Sequence, residues 1–110
     1  MQQGEIWSAN LDPTKGSEQA GKRPVVIVSG DTLNDALPIV IVVPITSKIK
    51  SYPTCVMLLA SKSNGLKTDS EAIPFQIRAI AKKRLVKQIG NLTEAELREI
   101  LKGLFLALTH

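Results

Sequence analysis

Gly16-Ser17-Glu18-Gln19-Ala20-Gly21-Lys22-Arg23-Pro24-Val25-Val26-Ile27-Val28-Ser29-Gly30-Asp31 joins a polar, glycine-bounded loop to an apolar β-branched run. Val25 to Val28, stopped by Ser29-Gly30-Asp31, predicts a strand covered on both faces; β-branching and the closing turn argue against a helix. Pro24 cannot donate to a sheet ladder, so it belongs at a strand's first position, and it holds Arg23 extended. Arg23 thus stands on rigid backbone at a strand entrance. Upstream, Gly16 and Gly21 bracket Ser17, Glu18, Gln19 and Ala20, which places a hydroxyl, a carboxylate and an amide near a permanently charged guanidinium. That set suits a phosphodiester. On residue types alone, however, a solvated loop with a surface ion pair of little energetic weight is the stronger reading.

Working outward, Trp7, Ala9 and Leu11 alternate with Ser8 and Asn10 as in a half-buried strand, with Trp7 toward the core. Asn10 to Lys15 reads as a turn. Asp31 to Pro38, with Asn34-Asp35, reads as a connection to a second apolar strand, Ile39 to Val43. Pro44 then limits pairing and Ile45-Thr46-Ser47 leaves at an edge, with two hydroxyls on a strand end. Lys48 to Thr54 is a basic loop carrying Tyr52; such a loop stacks an unpaired base while ammoniums meet phosphates, or is simply solvated. Cys55 to Ala60 predicts a strand and Ser61 to Asp69 a loop. Ala72 to Ala81 alternates, with Ile73, Phe75, Ile77 and Ala79 on one face and Gln76, Arg78 and Ile80 on the other. Lys82-Lys83-Arg84 reads as a solvated turn. Thr93 and Glu96 form a capping box, and Leu97, Ile100, Leu101, Leu104, Phe105 and Leu108 recur at helical spacing, so a helix should cover an open sheet face. Leu106 and Ala107 widen the apolar surface toward a second chain.

Composition bounds the function. At 110 residues and 44% hydrophobic content, the expectation is one compact domain, 1–110, burying roughly 60 to 70% of its unfolded surface. A net charge of +4 with a pI near 9.4 favours anionic partners. Cys55 is the only cysteine, so there is no disulfide framework and no cysteine cluster for a metal, in keeping with a reducing cytoplasm. The first residues lack a basic-then-apolar signal and the run Leu37 to Ile45 is too short to span a bilayer, so a soluble, cytoplasmic protein without membrane contact is expected.

Asp12 to Val26 resembles the signature opening of the MazF/PemK/Kid toxins, the endoribonucleases of bacterial toxin–antitoxin pairs. The likeness continues through Val42-Val43-Pro44-Ile45-Thr46-Ser47, Asp69-Ser70-Glu71-Ala72, Gln76-Ile77-Arg78-Ala79-Ile80, Arg84-Leu85-Val86 and Ile89-Gly90-Asn91-Leu92. It implies an SH3-like barrel of twisted antiparallel strands with a C-terminal helix, MazF/CcdB-like, acting as a homodimer with RNA across the subunit interface. It further implies metal-independent cleavage of single-stranded RNA by 2′-OH attack, without a cofactor, and inhibition by an acidic antitoxin. The residues agree in one respect: His110 is the only histidine, so no pair of histidines within one chain can act as acid and base. Arg23 matches the family's catalytic arginine and Thr46 its catalytic threonine. A guanidinium is a poor general base, which leaves Glu18 the better acceptor for the 2′-OH proton and Arg23 a possible acid toward the leaving oxygen. Position in the family pattern nominates Ser17, Gln19 and Gln76 for RNA contacts, and residue chemistry nominates Lys48, Tyr52 and Phe75. CcdB-like gyrase poisons share the fold but depend on an aromatic-Gly-Ile ending, whereas this chain ends Phe105-Leu106-Ala107-Leu108-Thr109-His110. A non-catalytic RNA-binding barrel would use the same arginine and loops and is separated only by assay.

Overall fold

A computed structural model describes residues 1–11 and 22–109. The elements are β1 (Glu5–Asn10), β2 (Lys22–Ile27), a short helix α1 (Asp31–Ala36), β3 (Ile39–Thr46), β4 (Val56–Leu58), β5 (Ser70–Ala72), β6 (Arg78–Ala81), β7 (Leu85–Asn91) and α2 (Glu94–Thr109), with 3-10 turns at Pro74–Gln76 and Lys82–Arg84. Seven strands form one antiparallel sheet in the order β4-β5-β3-β2-β1-β7, with β6 also pairing β3. β4 and β7 are the ends of that path, so the described strands make a barrel-like sheet that is not closed by hydrogen bonds.

β2 is covered on both faces, as its β-branched run requires. Val26 and Val28 belong to one core cluster with Ile6, Val43, Ile45, Leu58 and Ile100 of α2. Val25 and Ile27 belong to a second, with Ala9, Leu11, Val40, Val42, Ile80 and Leu85. Among the described residues this second cluster is built from strand residues and Leu11, with no helix residue in it. Trp7 packs on this cluster half-buried, its indole N–H donating to Glu5 Oε1 at 2.9 Å.

Several expectations need correction. The apolar strand does not stop at Val43. β3 runs through Pro44 to Thr46 inside the sheet, pairing β2 on one side and β6, then β5, on the other. Pro44 sits where β3 exchanges β6 for β5, so its missing N–H interrupts no continuous ladder, and its carbonyl accepts Ile73 N–H at 3.0 Å. The Asp31 to Pro38 connection contains α1, and Asn34 is buried: its amide donates to Ser29 O at 2.9 Å while Ser29 Oγ donates to Asn34 Oδ1. The strand expected over Cys55 to Ala60 shrinks to Val56–Leu58.

The alternation over Ala72 to Ala81 is not one strand, because Pro74 opens a 3-10 turn between β5 and β6. The phase changes there, leaving Phe75 and Ala79 exposed and Ile80 buried. β7 (Leu85–Asn91) is a strand that the mixed composition of that segment does not predict. The capping box does form, with Thr93 N–H donating to Glu96 Oε1 at 2.9 Å and Glu96 N–H to Thr93 Oγ1 at 3.1 Å. Yet α2 buries only Ile100 and Gly103 fully, and Phe105 (65% exposed) and Leu108 (74%) face away from the sheet. The helix lies so close to the loop before β4 that a Cβ on Gly103 would stand 2.5 Å from Thr54 O.

Candidate active site

β2 and β3 bring Arg23 and Thr46 together across twenty-three residues of sequence. Their register pairs Ile27 with Val42 and Val25 with Pro44; carried outward by two residues, it sets Arg23 opposite Thr46. Residues at matching offsets of an antiparallel register project from the same face. Both line one concavity of about 300 Å³ together with Lys22, Pro24, Ile45, Ser47 and Lys48. Three of these described lining residues are cationic and none is acidic. Arg23 is exposed, on backbone held between Ala9 of β1 and the rigid Pro24. Thr46 is half-buried, and its Oγ1 accepts Lys48 N–H at 3.1 Å. With a lone pair taken by its own turn, the hydroxyl proton is left to donate into the concavity. Lys48, nominated for RNA contact, therefore lies in the same hollow as the pair expected to act on phosphate.

The loop after Thr46 is held from below by a residue given no role in the sequence reading. Glu71, the cross-strand partner of Thr46, is 4% exposed. Its Oε1 accepts Lys50 N–H at 3.1 Å and its Oε2 accepts Ser51 N–H at 2.9 Å. Ser51 and Thr54 take left-handed backbone (φ 56° and 71°), strained for residues with a Cβ, so the carboxylate holds a turn that the chain would not adopt unaided. Burial first, and then the Glu71 charge, push the nearby Cys55 thiol above its ordinary value of 9.0. The signals in the sequence are the place of Glu71 in the Asp69-Ser70-Glu71-Ala72 block of the family likeness and its setting between two small residues.

Tyr52 and Phe75, distant in sequence, meet at a ring-centroid distance of 6.2 Å and an interplanar angle of 58°. Each is about half exposed, and with Pro53, Thr54 and Ala107 they form an apolar notch. Neither lines the Arg23–Thr46 hollow. Gln76 is exposed in the 3-10 turn beside Phe75. Glu18, Ser17 and Gln19 lie outside the described residues. Arg84, read as part of a solvated turn, is half-buried and donates to the carbonyls of Asn10 and Leu11 at 3.4 and 3.3 Å, bracing the end of β1. Lys82 likewise donates to Asn34 O. Among the described residues no group of three His, Cys, Asp or Glu side chains is placed to hold a metal ion, and no helix is long and apolar enough to cross a membrane.

The chain has relatives among known proteins. Residues 2–108 match the family described as the PemK-like, MazF-like toxin of type II toxin–antitoxin systems. The chain is 43% identical over 114 residues to the endoribonuclease MazF9 of Mycobacterium tuberculosis, covering 98% of this chain and 96% of that protein. It shares its fold with a MazF crystal structure from Deinococcus radiodurans, at TM-score 0.81 and 24% identity over 100% of this chain and 97% of that one. It also matches a mycobacterial endoribonuclease solved in complex with its cognate antitoxin, at TM-score 0.79 and 23% identity over 98% and 94% of the two chains. Together with a match to the family over almost its whole length, these likenesses make the chain a member of the PemK-like, MazF-like toxins of type II toxin–antitoxin systems.

Proposed function

We propose that the chain acts as the toxin endoribonuclease of such a pair, one domain over 1–110 that cuts single-stranded messenger RNA in the cytoplasm without a metal ion and so stops translation and growth. The observation that carries this reading is Arg23 and Thr46 lining one hollow whose described walls hold three cations and no carboxylate. In the proposed reaction the ribose 2′-oxygen attacks the adjacent phosphorus, its proton passing to Glu18, and the P–O5′ bond breaks to leave a 2′,3′-cyclic phosphate and a 5′-OH. Negative charge grows on the non-bridging oxygens, where the two-pronged Arg23 guanidinium and the Thr46 hydroxyl donate. Arg23 also stands as the acid toward the leaving 5′ oxygen. Ser17, Gln19, Lys48, Tyr52, Phe75 and Gln76 are proposed to select bases by stacking and edge hydrogen bonds.

Exposed Phe105 and Leu108 on α2 support a homodimer. The basic hollow suits an acidic antitoxin tail that competes with RNA, and opposite charge would speed that association. The test is incubation with long single-stranded RNA in EDTA. Cleavage should persist, should stop when the nucleotide 5′ of the cut carries a 2′-deoxyribose, and should be nearly abolished by Arg23→Ala and impaired by Arg23→Lys. Products with a 5′-phosphate, or normal turnover by Arg23→Ala, overturn the mechanism; binding without cleavage by the unaltered protein makes it an RNA-binding module.

A further inference from the structure

A second groove, about 500 Å³, opens beside the Arg23–Thr46 hollow and shares Lys22, Arg23, Pro24 and Ser47 with it. Its floor crosses three strands, because Ser8 of β1 is opposite both Pro24 of β2 and Lys87 of β7. Its far wall is the loop after β4, which carries Lys67 and Thr68. Among the described residues four cations, Lys22, Arg23, Lys67 and Lys87, line this groove, and no described lining residue is acidic.

The far wall is built rather than draped. Gly65 (φ 69°) sits so close to β7 that a Cβ there would lie 1.8 Å from Ile89 O. Asn64 is fully buried, its side chain accepting from Ser61 and Leu66 N–H at 3.0 Å each and donating to Leu59 O at 2.8 Å. Asn91 N–H donates to Ser63 O at 2.8 Å. Lys67 and Lys87 thus extend from rigid backbone on opposite sides of a groove continuous with the proposed cleavage site.

We infer that this groove binds the phosphates of RNA nucleotides flanking the cut, with Lys67 and Lys87 as anchors and the Ser8 and Ser47 hydroxyls donating to the same backbone. The inference rests on the endoribonuclease reading for the identity of its ligand. An RNA strand is favoured over an acidic peptide because the groove presents hydroxyl donors between the ammoniums and runs directly into the hollow where the scissile phosphate would lie.

The test measures binding of a 2′-deoxy-substituted, uncleavable oligoribonucleotide against salt for the full chain and for Lys67→Gln, Lys87→Gln and the double variant. Lys102→Gln, an equal charge loss on an exposed position of α2, serves as control. Each groove lysine that meets a phosphate should lower the slope of log K against log salt by about 0.7, and the double variant by about 1.4. On long cleavable RNA, KM should rise up to about fivefold per lysine, the weight of one exposed charge pair, with kcat changed much less. Slopes and KM equal to those of Lys102→Gln overturn the inference, as does loss of binding to a polyglutamate peptide with RNA binding intact. If the unaltered protein binds RNA with these slopes but does not cut it, the endoribonuclease reading falls and the groove stands.

Discussion

Replacing Glu71 tests whether the floor of the site is as important as its walls. The carboxylate accepts two backbone N–H groups, from Lys50 and Ser51 at 3.1 and 2.9 Å, while 4% exposed. Hydrogen bonds to a charged acceptor contribute about 1.5 to 3 kcal/mol each. Glu71→Gln keeps the shape but supplies one acceptor, turning its NH2 against the other amide, so one bond is lost and two donors face each other. The cost should be about 1.5 to 3 kcal/mol. It stops near that figure because Lys50 and Ser51 are exposed and a freed amide can find water. For a domain of this size that lowers Tm by roughly 6 to 15 °C, measurable through Trp7 fluorescence.

The functional effect should exceed what unfolding explains. Released at Lys50 and Ser51, the loop no longer holds the Lys48 N–H on Thr46 Oγ1, and the hydroxyl is free to turn from the place proposed for the scissile phosphate. Misplacement of about 1 Å at a reacting centre reaches 100-fold; with Arg23 still in place, a fall in kcat of about tenfold is expected well below Tm. Hydrogen exchange at the Lys50 and Ser51 amides should quicken in parallel. Unchanged exchange at both amides, with cleavage within about twofold of the unaltered protein, would refute the reasoning.

Gly65→Ala should cost more than 3 kcal/mol by denaturant titration, because the new Cβ meets the backbone of β7 at 1.8 Å and φ of 69° penalises any side chain. A loss under about 1 kcal/mol would mean that the groove wall is not pinned there. Cys55 should alkylate slowly at neutral pH, since burial and the Glu71 charge hold its thiol above 9.0 and the thiolate is the nucleophile. Glu71→Gln removes the like charge, so the midpoint of the rate–pH profile should move down; an unmoved midpoint with a faster plateau would report access alone.

What was legible in the sequence was local. The β-branched run Val25 to Val28 between Pro24 and Ser29-Gly30 needs two covered faces wherever it lies. The Thr93–Glu96 box closes within one helical turn, so the start of α2 could be read from four letters. Arg23 and Thr46 were found through the family pattern, which records their joint presence without the geometry. The remainder depended on pairing. Whether Arg23 faces Thr46 is set by the β2–β3 register, and a slip of one residue would turn one of them to the other face. The role of Glu71 exists only because β5 lies beside the end of β3 and aims a carboxylate at a loop twenty residues upstream. Leu97, Ile100, Leu101, Leu104, Phe105 and Leu108 share one helical spacing, yet of these only Ile100 is fully buried while Phe105 and Leu108 stand exposed, and it is Gly103 that comes within 2.5 Å, measured from a Cβ placed on it, of Thr54 O. Periodicity states how many faces an element must cover, whereas contacts between distant segments decide which neighbour covers each face and which polar group finds a partner.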